Sequence, residues 1–171
     1  MATLFLNAAV SGRALIIRET GLAELRQLIW MDHNGTKAPA PVTEPANWNA
    51  VALSADGSQA VAFRSDEQGN FDIYTVDLGR RLPTRLTFDR AADFNPIWSP
   101  DRTRIVFTSE REDGRNLFWK AANGATQEEL LYKSPEQKLA EDWSHDGKYL
   151  LFTSTGIQGR PLDVVHGGLR A

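Results

Sequence analysis

Apolar residues come along this chain in short runs of at most four, separated by polar and turn-forming residues. Asn95-Pro96-Ile97-Trp98 is an extended run, Ser99-Pro100-Asp101-Arg102 is a turn sequence, and Ile105-Val106-Phe107-Thr108-Ser109 is β-branched and aromatic. The proline sits where a β-turn needs its pre-set φ, so these three pieces predict a hairpin. A polar turn over Glu110 to Arg115, a strand over Leu117 to Ala121, a turn at Asn123-Gly124 and a strand over Glu129 to Tyr132 follow. Outside Gly21 to Leu28, no helical periodicity longer than two turns competes with this reading.

The same unit recurs every 45 residues. Leu53-Ser54-Ala55-Asp56-Gly57, Trp98-Ser99-Pro100-Asp101-Arg102 and Trp143-Ser144-His145-Asp146-Gly147 stand in register. Ile105-Val106-Phe107-Thr108-Ser109 likewise aligns with Leu150-Leu151-Phe152-Thr153-Ser154, and Leu28-Ile29-Trp30-Met31-Asp32 with Ile73-Tyr74-Thr75-Val76-Asp77. Four short strands per repeat predict an all-β chain built as a partial β-propeller of about three and a half four-stranded blades. The blades fall at 1–43, 44–88, 89–133 and 134–171, the last incomplete.

Leu86-Thr87, Asp93, Pro96, Trp98-Ser99-Pro100-Asp101, Ile105-Val106-Phe107 and Asn116-Leu117-Phe118 together resemble the WD40-like (PD40) repeat of TolB-type β-propellers. The pairing of Arg26 to Asp32 with Asn116 to Ala122 is similar to propellers appended to bacterial membrane serine/threonine kinases, where they act as sensor domains. The resemblance covers about residues 14 to 155 and implies blade architecture. It carries little about function, because the matching residues are mostly turn and core positions.

After Thr155 the repeat is lost, and Gly156 to His166 shows none of the residues expected of a third strand. Two origins account for this: a shifted reading frame, or a divergent blade end. Either way the chain reads as a fragment of a longer propeller whose folded part starts at Met1. Closed propellers have four to eight blades, and an open arc leaves apolar faces and strand edges uncovered. The expected partner is therefore a second copy, in a homodimer or higher oligomer that completes the ring around a symmetry axis.

Composition narrows the chemistry. Nineteen Lys and Arg against 22 Asp and Glu give a net charge of -3, with no basic block, so nucleic acid is not an expected partner. The absence of cysteine removes disulfides, thiolate metal sites and cysteine nucleophiles. No apolar run reaches the roughly 20 residues that span a bilayer, and the first ten residues lack the basic start of a signal peptide. The expectation is a soluble protein, cytoplasmic as expressed, whose parent propeller belongs to the periplasm or another extracytoplasmic compartment.

Candidate site residues lie where loops lead into the first strand of each blade. Glu44, Asn47, Asn49, Asp89, Asp93, Asn95, Glu141 and Asp142 supply oxygen donors there, a chemistry suited to Ca²⁺ or Mg²⁺. Asp93 also fits the family's consensus Asp, which makes local hydrogen bonds where blades meet. Glu141 and Asp142 replace Pro96 and Ile97 of the preceding copy, and Trp48 lies off the repeated tryptophan position, where it would stack at the channel mouth. The set read as ligand-binding is Trp48, Asn49, Asp93, Asn95, Glu141 and Asp142. His33, His145 and His166 are candidate ligands for a divalent metal (Zn, Mn or Ca), and a symmetric assembly brings such residues from two chains together.

Ser144-His145-Asp146 is not a catalytic triad, because three consecutive turn residues cannot align nucleophile, base and acid. No nucleophile elbow, P-loop or H-E-x-x-H motif is present. Two functions remain: a self-associating module that binds a small molecule or protein at its channel mouth, or a metal-dependent hydrolase of phosphoesters or esters. A gene fragment that folds without a function is the third reading.

Overall fold

A computed structural model describes residues 5–10, 13–19, 25–38, 42, 44–111, 113–155 and 163–168. Fifteen strands form four antiparallel sheets. The first holds β1 (Phe5–Val10), β2 (Arg13–Glu19), β3 (Arg26–Asp32) and β4 (Lys37–Ala38). The second holds β5 (Trp48–Leu53), β6 (Gln59–Ser65), β7 (Phe71–Asp77) and β8 (Leu82–Arg85). The third holds β9 (Asp93–Trp98), β10 (Arg104–Ser109), β11 (Asn116–Ala121) and β12 (Glu129–Tyr132). The fourth holds β13 (Gln137–Trp143), β14 (Tyr149–Thr155) and β15 (Asp163–Gly168). Each is a simple meander in sequence order, and each packs on the next. No described strand of the first sheet touches the fourth, so within this chain the arc stays open.

The fold class is therefore as the sequence repeat required, an all-β partial propeller. Among the described residues there is no helix, and hence none long and apolar enough to cross a membrane. Leu25 to Leu28, at the end of the stretch with helical periodicity, runs straight into β3. The tail differs from expectation more usefully: Asp163–Gly168 pairs along β14 from Tyr149↔Gly168 to Ser154↔Asp163 despite having lost the repeat sequence. Backbone pairing with an existing edge does not require a particular side-chain pattern, and that is how a third strand forms there.

The alternation of side chains along each strand decides what each sheet buries. On β10, Ile105 and Phe107 face the second sheet, joining Val61, Ile73, Leu86 and Trp98, whereas Val106 faces the fourth, joining Leu117, Ala140, Leu150 and Phe152. On β6, Ala60 and Ala62 pack toward Leu28, Val42, Trp48 and Val51, while Val61 packs the other way. Each apolar cluster thus spans two neighbouring sheets and none lies within one. Every first strand also carries a β-bulge or register shift, between Leu6/Ala9 in the first sheet and at matching places in the other three, between Asn49/Val51, opposite Val106/Thr108 and between Ala140/Asp142. Ala50 at φ 29° and Asn95 at φ 50° are the residues that absorb it in the second and third sheets.

Phe107 is fully buried between the second and third sheets and stacks on Phe118 at 6.3 Å. Phe107→Ala is expected to cost about 3–5 kcal/mol in urea unfolding. A loss below about 1 kcal/mol would show that the sheets do not share a core.

Candidate functional site

Antiparallel meanders place their turns at two rims. The Ser-x-Asp turns between first and second strands lie at one rim, and the loops leading into each first strand lie at the other. At the second rim the start of the first strand is the critical place, since Trp48, Asp93 and Lys138 occupy equivalent positions 45 apart and all three are fully buried. Their partners, at or beyond the end of the preceding outer strand, are equally spaced: Val42, Thr87 and Tyr132.

The joint between the first and second sheets is apolar and aromatic. Trp48 packs edge-on to Tyr74 at 5.7 Å, and the Arg64 guanidinium covers both rings at 5.2 and 4.2 Å. Trp48 therefore has no exposed face for a ligand to stack on, and its Nε1 is buried without a partner. Arg26 donates to the Trp48 carbonyl at 3.2 Å and to Asn49 Oδ1, and Asn49 Nδ2 donates to the Asn47 carbonyl at 2.9 Å. Asn49 is thus already engaged on both ends of its amide.

The joint between the second and third sheets is ionic. Arg111 Nη2 donates to Asp93 Oδ2 at 2.9 Å, while Arg111 also approaches Asp89 at 3.6 Å and Glu128 at 3.9 Å. Thr87 Oγ1 accepts the Ile73 amide at 3.0 Å, and Lys120 Nζ donates to the Leu86 carbonyl at 2.8 Å and to Glu128 at 3.0 Å. Arg85 Nη2 forms an ion pair with Asp72 Oδ2 at 2.6 Å. Burial raises the carboxyl of Asp72, against the pull of Arg85. Burial likewise pushes Asp93 up to about 6, against the counter-pull of Ser109, Arg111 and Thr87. Of these three only Arg111 makes a hydrogen bond of good geometry, leaving Asp93 Oδ1 and Ser109 Oγ buried and unpaired.

The joint between the third and fourth sheets inverts the charge. Lys138 Nζ donates to the Ser134 carbonyl at 2.9 Å, reaches Asn116 Oδ1 at 3.4 Å and lies 5.5 Å from the centre of the Tyr132 ring. Burial lowers its ammonium from the ordinary lysine value, and Glu136 opposes that shift.

The remaining candidates do not gather. Asn95 lies in the bulge of β9, half-buried. Glu141 is exposed and accepts from Thr153 Oγ1 at 2.9 Å; Asp142 is exposed and accepts its neighbour's amide, Trp143 N, at 2.8 Å. Asp142 lines an open cavity of about 460 Å³ on the uncovered face of the fourth sheet, with Ser144, Tyr149 and Leu151. His33 sits in the exposed turn after β3, where Asp32 accepts from Asn34 and Thr36, and the Thr36 amide chiefly lowers the Asp32 carboxyl. His145 lines a separate groove of about 480 Å³ at the opposite rim. His166 pairs through its backbone with Leu151, and its side chain lies outside the described residues. Among the described residues no three His, Asp or Glu side chains converge as a metal-ion site.

Sequence reasoning picked out Trp48 and Asp93 separately and missed Lys138, Thr87 and Arg111. The signal was available in the spacing: 48, 93 and 138 are one repeat apart. Because the residue types there are unrelated, a search for similarity passes over them.

These four stacked meanders, joined by buried residues at the start of each inner strand, define a β-propeller arc. The TolB beta propeller domain family matches residues 24–164, and this chain belongs to that family. The Tol-Pal system protein TolB of Desulfosudis oleivorans is 26% identical over 99 residues, which is 58% of this chain and 22% of that protein. The crystal structure of TolB from Acinetobacter baumannii superposes with a TM-score of 0.81 at 20% identity, covering 98% of this chain and 41% of that one. A putative TolB from Agrobacterium tumefaciens gives 0.75 at 21% identity, covering 86% of this chain and 52% of that one. This chain therefore spans about a fifth of the curated relative and at most about half of these structures.

The Asp93 environment makes a signed prediction. A carboxyl whose value rises from 3.8 to about 6 on folding binds its proton more tightly in the native state. Stability from this group is fully present below pH 3.8 and is lost as pH rises toward 6. Comparing urea unfolding at pH 4.5 and 7.0, the wild type should lose about 2 kcal/mol relative to Asp93→Asn. Parallel pH dependences in the two proteins would show that Asp93 stays ionised throughout.

Proposed function

We propose that this chain is a protein-binding propeller module that self-associates through the open face of its fourth sheet. One observation supports the reading above others. On the third sheet, Ile97 and Val106 are 8% and 0% exposed because the fourth sheet stacks on them. Their equivalents on the fourth sheet are Asp142 and Leu151, and no described residue covers the cavity they line with Ser144 and Tyr149, the last 52% exposed. Stacking another sheet there is what this repeat does everywhere else in the molecule. Asp142 in place of Ile97 sets a condition on the partner: its carboxylate must be met by a cation or left at a wet margin. A second copy is the proposed occupant because it carries sheets of the same repeat; a different protein of matching shape would cover the face in the same way.

Light scattering on chromatographed protein tests this. The expected mass is twice 19.0 kDa or a higher multiple, and Leu151→Arg should reduce it to 19.0 kDa without loss of β-sheet circular dichroism. A wild-type monomer at tens of micromolar overturns self-association. A metal-dependent hydrolase is the second reading; His145, Asp101 and Asp146 line one groove, although they do not converge there as a metal-ion site. If it holds, elemental analysis of the same sample finds stoichiometric metal, and hydrolysis is lost with a chelator and restored by Zn²⁺ or Mn²⁺. Activity indifferent to chelator removes it.

A further inference from the structure

The Ser-x-Asp turns at the rim opposite the joints repeat one piece of chemistry three times. Asp56 Oδ1 accepts from Ser54 Oγ at 2.7 Å and from the Ser58 amide at 3.2 Å. Asp101 Oδ1 accepts from Ser99 Oγ at 2.6 Å and from the Thr103 amide at 3.0 Å. Asp146 Oδ1 accepts from Ser144 Oγ at 2.7 Å and from the Lys148 amide at 3.1 Å. Oδ1 holds each turn; Asp56 Oδ2 also accepts from Ser58 Oγ at 2.9 Å and Asp146 Oδ2 pairs with Lys148 at 3.4 Å, whereas Asp101 Oδ2 accepts from no group within its turn. All three carboxyls lie below the ordinary value, chiefly through the serine hydroxyl, so all are ionised near neutrality.

In the second sheet Asp56 Oδ2 also receives an arginine. Arg102, from the neighbouring turn of the third sheet, sets its guanidinium Nη1 on Asp56 Oδ2. Arg102 does so from φ 63°, where the equivalent residues Gly57 and Gly147 stand at 67° and 75°. A side chain in the left-handed region costs about 1–2 kcal/mol, so this clamp coincides with a strained residue at a place the repeat otherwise gives to glycine. One step along the arc, the equivalent clamp is missing. Gly147 stands where an arginine would reach Asp101, a Cβ built on it meets nothing within 4 Å, and the space holds the groove of about 480 Å³. Pro100 and Trp143 supply its apolar walls, and Trp143 is fixed by its Nε1 donating to the Gly147 carbonyl at 3.1 Å.

Two cations lie near the groove. Arg104 lies over the Trp119 ring at 4.7 Å and, as a nearby charge, helps lower the Asp101 carboxyl, while Lys148 pairs with Asp146 at 3.4 Å. Among the described residues neither forms an ion pair with Asp101, and Asp101 Oδ2 has no hydrogen bond.

We propose that the groove between the turns of the third and fourth sheets is a docking site for an arginine side chain of a partner protein, received by Asp101 Oδ2 beside Trp143. The argument is an internal one: the same molecule shows a guanidinium seated on the same carboxylate oxygen of the same turn one repeat earlier. A free carboxylate oxygen next to an indole is also the pairing that favours arginine over lysine, through a directed hydrogen bond and contact of the planar cation with the ring. The site lies at a different place from the fourth-sheet face proposed above for self-association and does not depend on it.

The probe is the peptide acetyl-Gly-Arg-Gly-amide, titrated into the ¹⁵N-labelled full chain and followed by amide shifts, with the lysine peptide in parallel. Binding should saturate in the millimolar range, move the amides of Asp101, Thr103 and Gly147 with the Trp143 indole, and be weaker for lysine. Asp101→Asn keeps the Oδ1 acceptor of the turn and should weaken binding about two- to fivefold, the scale of an exposed ion pair. Gly147→Arg supplies the side chain from within, as Arg102 does, and should abolish the saturable shifts with the spectrum otherwise retained. Absence of saturable shifts in the wild type, or shifts equal in wild type, Asp101→Asn and Gly147→Arg, overturns the proposal.

Discussion

Among the described residues no sheet has a core of its own: the second and third present apolar residues on both faces, and every apolar cluster is assembled from two neighbouring sheets. The start of each inner strand is where consecutive sheets are locked, and the side chain there must be buried whatever its type. Trp48, Asp93 and Lys138 are three answers to one steric requirement, in that all are fully enclosed while carrying no charge, a negative charge and a positive charge. Their surroundings follow from that choice: a guanidinium over rings for Trp48, Arg111 for Asp93, and carbonyl oxygens with a tyrosine ring for Lys138.

The cost of the arrangement is visible in the unpaired buried atoms. Arg26 Nε, Trp48 Nε1, Asp72 Oδ1, Asp93 Oδ1, Ser109 Oγ and Arg111 Nε all belong to the first two joints. Apolar packing around a buried group limits how its polar atoms can turn, and each unsatisfied atom costs roughly 1–3 kcal/mol. These joints hold because the apolar clusters beside them are continuous, with Ile105, Phe107 and Ile73 fully buried next to the ionic one. Hydrophobic stacking supplies the stability, and the joint residues supply position.

Strands, turns and the open arc were legible from the sequence because a 45-residue period multiplies weak local signals. A single Ser-x-Asp or a single β-branched run is ambiguous, and three in register are not. The candidate site was legible only in part. Asp93 falls in the ligand-binding set with a junction role as the competing reading, and its buried ion pair with Arg111 is the kind of contact the junction role describes. Trp48 reads as a channel-mouth residue because it lies off the tryptophan register, and it is buried. Burial depends on which sheet covers a position, and that is a property of stacking which no single strand reports. The third strand of the fourth sheet escaped for the complementary reason: its pairing with β14 is carried by backbone, to which the repeat's side-chain pattern gives no clue.

Departures from the repeat are where this chain's individuality lies, and their physical meanings differ. Lys138 in place of an acid changes a buried joint and demands new internal partners, which Ser134, Glu136 and Asn116 provide. Arg102 in place of glycine accepts backbone strain and gains a contact between neighbouring turns. Asp142 in place of Ile97 puts a charge on a face that the architecture otherwise packs against a sheet. The first substitution is closed within the chain, since every group it introduces has a partner there. The other two concern exposed positions, and they set terms for contact: Arg102 fills one groove and leaves its neighbour open, and Asp142 tells any stacking partner to bring a cation. A family position shared with TolB proteins thus settles the architecture, while the residues at which this chain leaves the repeat decide which surfaces remain available for partners.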